Sequence, residues 1–229
     1  MVIGNGQLSK IFQNIHILDN ICIFASGVSN SNCVDSIQFE REKILLEKTL
    51  YESKNKKFVY FSSCALSAEE YPKNDYYKHK EKMEAIIKKY SDNYYIFRIP
   101  QLFGDLILHK TLINFIYKSI EHNHKFMVYD EAYRYVIEIN DVKKIVEAYL
   151  EYNNSCITVD IANNHRYKVL DIVNIFEKLL SKKANYELVQ KKDSYTLDLS
   201  EIQSFIIKLG FELDFGEKYL EKKLKEKLI

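Results

Sequence analysis

Phe58-Val59-Tyr60-Phe61-Ser62-Ser63 opens a stretch that closes at Asp75-Tyr76-Tyr77-Lys78-His79-Lys80. Its first four residues are aromatic or β-branched, follow the Lys56-Lys57 pair and read as a buried strand. The strand ends in two hydroxyl residues. A polar loop then leads to Tyr76, with Lys80 one helical turn further along the same face. A serine at a strand's carboxyl end, followed by a tyrosine and a lysine on the next helix, is a working acid–base arrangement. A nearby ammonium favours the tyrosinate and lowers a phenol from its reference pKa of about 10. The serine hydroxyl then holds a substrate alcohol or ketone against the phenol.

Spacing alone does not select this pair. The chain has 18 tyrosines and 29 lysines in 229 residues, so random placement yields about two Tyr-x3-Lys pairs. It contains two, Tyr76/Lys80 and Tyr219/Lys223. Only the first follows a strand that ends in serines, and that context distinguishes it from a tyrosine on a solvated helix.

Composition excludes several classes. The length suffices for one sizeable core, or for a core with a small appended lobe. With 33 basic and 32 acidic residues the net charge is +1, so no bulk field points to nucleic acid. The four cysteines, Cys22, Cys33, Cys64 and Cys156, show no metal-ligand spacing, and no metal is expected. Cys22 and Cys156 lie in apolar runs and read as reduced core residues. Neither a signal peptide nor a long apolar run is present, so the expectation is a soluble, cytoplasmic protein that does not engage a membrane.

Outward from the central stretch, the chain alternates strand and helix. Met1-Val2-Ile3 reads as the end of a strand running into Gly4-Asn5-Gly6-Gln7-Leu8-Ser9, with Leu8, Ile11 and Phe12 in helical register. Glycine-rich turns of this kind let backbone amides approach a phosphate. The third small position is Ser9 rather than glycine or alanine, which is expected to crowd the helix against the sheet. Asn20–Ala25 is the next strand. It follows Phe12 after only Gln13 to Asp19, too short for a further strand and helix, and Asp19 reads as a turn or strand-start residue rather than a ribose ligand. Ser26-Gly27-Val28-Ser29-Asn30-Ser31 is a second small polar loop at a strand's carboxyl end. Residues 36–53 form a helix with Phe39, Ile44, Leu46 and Leu50 on its apolar side. The Tyr76 helix continues through Met83, Ile86 and Ile87, and Tyr94–Ile99 is a strand ending at Pro100-Gln101-Leu102-Phe103-Gly104. This order predicts a parallel, doubly wound α/β sheet.

The second half predicts a helix over 106–121, a short strand pair at 126–129 and 135–139, and a helix over 141–152 capped by Asn140 or Asp141. A strand at 157–162 returns to the sheet, followed by a helix over 169–180. A small α+β lobe closes the chain, with a strand near 186–189 and helices near 200–209 and 217–228. No linker separates the halves, so one interleaved unit is expected. Its nucleotide-binding core spans 1–105 and about 140–162, and its substrate lobe about 106–139 and 163–229.

The chain resembles the extended short-chain dehydrogenases/reductases, the NAD-dependent epimerase/dehydratase family acting on nucleotide sugars. The resemblance rests on Gly4-Asn5-Gly6-Gln7-Leu8-Ser9, Phe24-Ala25-Ser26-Gly27, Phe61-Ser62-Ser63, Tyr76-x3-Lys80, Arg98-Ile99-Pro100-Gln101-Leu102-Phe103-Gly104, and Arg134 ahead of Ile139-Asn140-Asp141-Val142. It implies a Rossmann-like fold, NAD or NADP as cofactor, a nucleotide-sugar substrate and a bacterial surface-polysaccharide pathway. By position, Tyr76 is the implied catalytic acid/base, and Lys80 lowers its pKa and contacts the nicotinamide ribose. Ser63 is the implied hydroxyl, with Ser62 or Cys64 as alternatives one residue away. Gly4, Asn5, Gly6, Gln7 and Leu8, together with Ala25, Ser26 and Gly27, match the cofactor's diphosphate and ribose surroundings. Pro100 and Gln101 match the segment beside the nicotinamide. Arg134 matches a basic residue that holds the substrate diphosphate, and Asn30 and Tyr133 are further substrate-side candidates. The helices at 36–53 and 76–91 match those of a dimer interface, so a homodimer is expected.

The departures carry their own implication. The shortening falls where the family's second and third strands hold the adenosine. Two function classes follow: a nucleotide-sugar epimerase, reductase or dehydratase, or a retired relative that binds a nucleotide, sugar or partner without redox chemistry. Two lesser features read as structural: His122-x-His124 as a polar helix end, and the Tyr219–Leu228 stripe as a helix docked on the protein's own core or a neighbour.

Overall fold

The computed structural model describes residues 1–13, 20–152 and 155–228; Asp19 lies outside them. In chain order the strands are β1 (Val2–Ile3), β2 (Ile21–Phe24), β3 (Lys57–Ser63), β4 (Tyr94–Ile99), β5 (Gln101–Phe103), β6 (Phe126–Glu138), β7 (Ile157–Asp160), β8 (Arg166–Lys168) and β9 (Tyr186–Asp193). The helices are α1 (Gln7–Phe12), α2 (Ser36–Glu52), α3 (Asp75–Tyr90), α4 (Leu112–Glu121), α5 (Ile139–Tyr152), α6 (Val169–Leu180), α7 (Ser200–Leu209) and α8 (Tyr219–Leu228). The chain divides into two compact units, residues 1–99 with 142–161, and residues 100–141 with 162–229.

The first unit is a five-stranded parallel sheet in the order β1-β2-β3-β4-β7. Its central strands are buried on both faces, which is why they read as continuous apolar runs. Cys22, Phe24, Phe58, Tyr60 and Ile96 form one face and pack against Leu46 and Leu50 of α2 and Met83 and Ile87 of α3. On the other face Phe12 of α1 stacks on Phe61 with ring centres 5.6 Å apart, and Tyr149 of α5 meets Phe97 edge-on at the same distance. The chain therefore leaves β1 over one face and β2 over the opposite face. That divergence is what opens a ligand crevice at the carboxyl ends of a doubly wound sheet.

The side-chain pattern of α2 departs from expectation. Leu46 and Leu50 are buried, but Ile44 is 58 % exposed and shares the outer surface with Ile37 and Tyr51. The buried stripe instead runs through Glu42, Leu46, Thr49 and Leu50, the i, i+4, i+7, i+8 face. A carboxylate thus occupies a core position. Cys156 is likewise exposed rather than in the core; it sits at positive φ just before β7.

In the second unit β6 is one continuous thirteen-residue strand rather than two short ones. Its first half pairs with β9, the middle residues Tyr133–Tyr135 pair with β8, and Val136–Glu138 pair with β5. Successive partners keep the polar Asp130–Glu131 segment extended, with a register shift between Tyr129 and Glu131. Ile113, Ile116 and Ile120 of α4, Ile172, Val173 and Phe176 of α6, and Leu220 and Leu224 of α8 close the core over Val128 and Val136. The helix α4 begins at Leu112 rather than 106, capped by Thr111, because Asp105 accepts the Ile107 and Leu108 amides in a separate turn. At the start of α5 the cap is neither Asn140 nor Asp141: the Glu138 carboxylate accepts the Asn140 amide at 2.7 Å.

Candidate active site

The polar end of the first unit's sheet is built around α3. Asn74 caps this helix by accepting the Tyr77 amide. Its buried stripe is Tyr76, His79, Lys80, Met83, Glu84 and Ile87, polar at the end near the strand termini and apolar beyond. Lys80 is 3 % exposed. Its ammonium donates to Glu42 Oε1 and to the Tyr60 hydroxyl, both at 3.0 Å. The Glu42 carboxylate, fully buried, also accepts the Tyr60 hydroxyl at 2.8 Å and the Val28 amide at 2.7 Å, and lies 3.0 Å from His79 Nε2. Gly27 completes the arrangement, since a Cβ there would sit 2.5 Å from Lys80 Nζ and 2.9 Å from Glu42 Oε1.

This geometry corrects the expected electrostatics. Burial pushes the Glu42 carboxyl up, but Lys80 foremost, then His79, the Val28 amide and Tyr60, bring it down to about 2. The Tyr76 phenol is raised, by burial first and then by Tyr77 and Glu42. Lys80 does not acidify it. The ammonium stands 5.8 Å from the Tyr76 ring centre, and its charge is offset by Glu42. Tyr76 is 8 % exposed, packs with Val28 and Cys33, and among the described residues its hydroxyl makes no hydrogen bond.

The three candidate residues at the end of β3 differ in their surroundings. Ser63 caps a short 3-10 turn, Cys64–Leu66, by accepting the Ala65 amide. Cys64 is fully buried, donates to the Arg98 carbonyl at 3.0 Å and is pushed well up by burial, then by Asp160. Ser62 is buried, and among the described residues its hydroxyl has no hydrogen-bond partner. Strand alternation puts it on the Tyr60 side of the sheet, the side that α3 covers. Arg98, whose segment contributed to the resemblance, forms a two-pronged pair with Glu84 at 2.9 and 2.7 Å and donates to Ser67 at 2.8 Å.

The turn after β1 packs closely on the loop after β2. Gly4 has φ +126°, and a Cβ on it would lie 2.3 Å from the Ala25 carbonyl oxygen, so only glycine permits the two loops to pack. Among the described residues nothing lies within 4 Å of where a Gly6 Cβ would be, and Gln7 Oε1 is a buried acceptor without a partner. Ser9 does not crowd the helix: it is fully buried and its hydroxyl returns to the Gly6 carbonyl at 2.7 Å. Among the described residues β1 is the edge of its sheet. Asn30, on the exposed part of the second loop, accepts the Asn32 amide.

Pro100, Gln101, Tyr133 and Arg134 belong to the second unit. The Arg134 guanidinium pairs with the Asp193 carboxylate and donates to the carbonyls of Tyr133 and Asp193. The Tyr133 ring lies under Arg166 and Lys168. His122 and His124 sit just after α4 with ring centres 5.7 Å apart, and no group of three metal-binding side chains occurs among the described residues. The sequence reading did not single out Glu42, Tyr60 or His79. The signal available for Glu42 was a carboxylate in register with Leu46 and Leu50.

No protein-family model and no curated protein sequence matches the chain. Solved structures do. A dTDP-glucose 4,6-dehydratase from Bacillus anthracis in complex with NAD matches with a TM-score of 0.71 at 15 % identity, over 91 % of this chain and 71 % of that one. A UDP-glucuronic acid 4-epimerase from Bacillus cereus, with UDP-glucuronic acid and NAD, gives 0.69 at 18 %, over 89 % and 73 %. A GDP-mannoheptose C4 reductase from Campylobacter jejuni with NADP bound gives 0.69 at 11 %, over 91 % and 80 %. The fold is therefore that of the NAD(P)-dependent nucleotide-sugar epimerases, dehydratases and reductases, in a shorter form. Among the described residues no helix is long and apolar enough to cross a membrane.

Proposed function

We propose that this protein is a nucleotide-sugar-modifying enzyme of the NAD(P)-dependent kind, with Tyr76 as its proton-transferring group. The observation that carries this reading is a phenol free of internal hydrogen bonds, beside an ordered ammonium, at the carboxyl end of a Rossmann-like sheet. The turn Gly4–Leu8 and the loop Ala25–Gly27 would hold the diphosphate of the cofactor. A bound nicotinamide supplies the hydride. Ser63, or Ser62 with its unpartnered hydroxyl, orients the sugar oxygen, and Tyr76 exchanges a proton with that oxygen. Burial raises the Tyr76 phenol, so it keeps its proton in the resting protein. Arg134 and Tyr133 are the substrate-side residues of the second unit, Pro100 and Gln101 its cofactor-side residues.

The setting we infer is cytoplasmic surface-polysaccharide synthesis, to which four unpaired cysteines in a reducing compartment are suited. A homodimer through α2 and α3 accounts for the exposed Ile37, Ile44, Tyr51 and Tyr90. Ile44→Glu should then convert a dimer to a monomer in analytical ultracentrifugation.

A second reading, a relative that has lost redox chemistry, is favoured by the engagement of Lys80 with Glu42 and by the shortening on the adenosine side that the resemblance implies. Calorimetric titration with NAD, NADH, NADP and NADPH separates the two. Micromolar binding of any one supports the enzyme. No binding of all four overturns it and leaves a nucleotide- or sugar-binding protein.

A further inference from the structure

Nothing in the proposed chemistry requires Glu42, yet Val28, Tyr60, His79 and Lys80 all converge on its carboxylate. They come from the loop after β2, the strand β3 and the helix α3, so one buried anion fixes three elements at once. The contacts are arranged around the lysine in particular. Tyr60 donates to Glu42 and accepts from Lys80, closing a triangle that leaves the ammonium one preferred position. Gly27 lies so close that any side chain would displace Nζ. His79, one residue before Lys80, is itself stacked on Phe39 of α2 with ring centres 4.6 Å apart, which prevents that turn of α3 from rotating.

We propose that Glu42 is the positioning residue of the Tyr76/Lys80 pair, holding the ammonium beneath Gly27 and against Tyr60 rather than against the Tyr76 phenol. This rests on the reading of Tyr76 and Lys80 given above. The physical consequence is a phenol that keeps its proton in the resting protein. The two side chains lie one helical turn apart, and opposite charge at close range is what favours a tyrosinate. A carboxylate bound to the same ammonium cancels that field and adds its own, of opposite sign. Val28 ties the Gly27 loop to this carboxylate, so loop position and ammonium position are set together.

The test uses the purified full chain without cofactor or substrate. Tyr76 O-acetylation by N-acetylimidazole and Lys80 N-acetylation by acetic anhydride are followed by peptide mass spectrometry, in the wild type, Glu42→Gln, and Glu42→Gln with Lys80→Met. Circular dichroism verifies folding of each variant. In Glu42→Gln, Lys80 labelling should rise and Tyr76 labelling should rise about tenfold, one pKa unit's worth of added tyrosinate. In the double variant Tyr76 labelling should return to the wild-type level. A structural role alone would not make the Tyr76 response depend on Lys80. Unchanged Tyr76 labelling in folded Glu42→Gln, or a rise that persists without Lys80, overturns the proposal. Should Glu42→Gln not fold, Gly27→Ala, whose Cβ would press on Nζ at 2.5 Å and on Glu42 Oε1 at 2.9 Å, is compared with and without Lys80→Met. There a Lys80-dependent rise supports the proposal and its absence overturns it. Because no nucleotide is present, the outcome is independent of whether NAD(P) binds, which the calorimetric titration decides alone.

Discussion

The two Tyr-x3-Lys pairs of this chain have the same spacing and opposite fates. On α8, Tyr219 is 1 % exposed; it donates to Asp141 at 2.7 Å and accepts the Glu138 amide at 2.9 Å, while Lys223 reaches the same Asp141 carboxylate at 2.9 Å. The phenol, raised by burial and then by Asp141, is used up in holding α8 to the end of β6 and the start of α5. On α3, Lys80 is bound to a carboxylate in the same way, but Tyr76 is not. Both pairs enclose a buried acid, so an acid partner for the lysine does not mark a functional site. The two phenols differ: Tyr219 is bound to Asp141, whereas the Tyr76 hydroxyl makes no hydrogen bond among the described residues.

Substitutions can break this comparison, beginning with the largest effect. Tyr76→Phe should lower turnover of a nucleotide sugar about a thousandfold, within the range for a lost proton-transfer group, with an unchanged melting temperature. Equal activity of the variant would remove Tyr76 from the chemistry. Lys80→Met alone should cost about 3–5 kcal/mol in urea unfolding, because it strands a fully buried carboxylate; adding Glu42→Gln should recover much of that loss. If the two losses simply add, the pair is not coupled.

Acid sharpens the contrast. Glu42 is held at about 2 in the folded protein against an ordinary 4.5, so its folded-state pKa is depressed. The stability it contributes, about 3 kcal/mol from the size of that shift, is present above pH 4.5 and is lost as pH falls from there towards 2. Stability curves over that window should flatten in Glu42→Gln. A wild-type curve already flat there would show that Glu42 is not so depressed.

The smaller effects lie on α8. Tyr219→Phe should cost about 1–3 kcal/mol, removing the hydroxyl that donates to Asp141 and accepts the buried Glu138 amide, with nucleotide-sugar turnover unchanged. Lys223→Met should cost about 1 kcal/mol or less, since its side chain is 15 % exposed and solvent replaces part of the contact. A larger loss for Lys223→Met than for Lys80→Met would reverse the ranking of the two pairs.

Much of the architecture was legible in local patterns. Apolar runs such as Phe58–Phe61 and Tyr94–Ile99 became central parallel strands, and α6 and α7 match the expected bounds of 169–180 and 200–209. Local pattern failed where the partners were remote. The Asp130–Glu131 segment reads as a break between strands, but pairing with β9 on one side and continuation into the β8 and β5 pairings keep it extended. Ile44 reads as a core residue, yet the rotation of α2 that buries Glu42 turns Ile44 outward.

By itself the sequence determined the βα alternation, the glycine turn at Gly4–Gly6, the serine-ended strand and the Tyr76/Lys80 spacing, because each follows from periodicity or from the needs of a turn over a few residues. Only the tertiary structure decided which charge Lys80 answers. Glu42 lies 38 residues away on another helix, and a buried ammonium takes the carboxylate that packing brings within 3.0 Å rather than the phenol one turn back along its own helix.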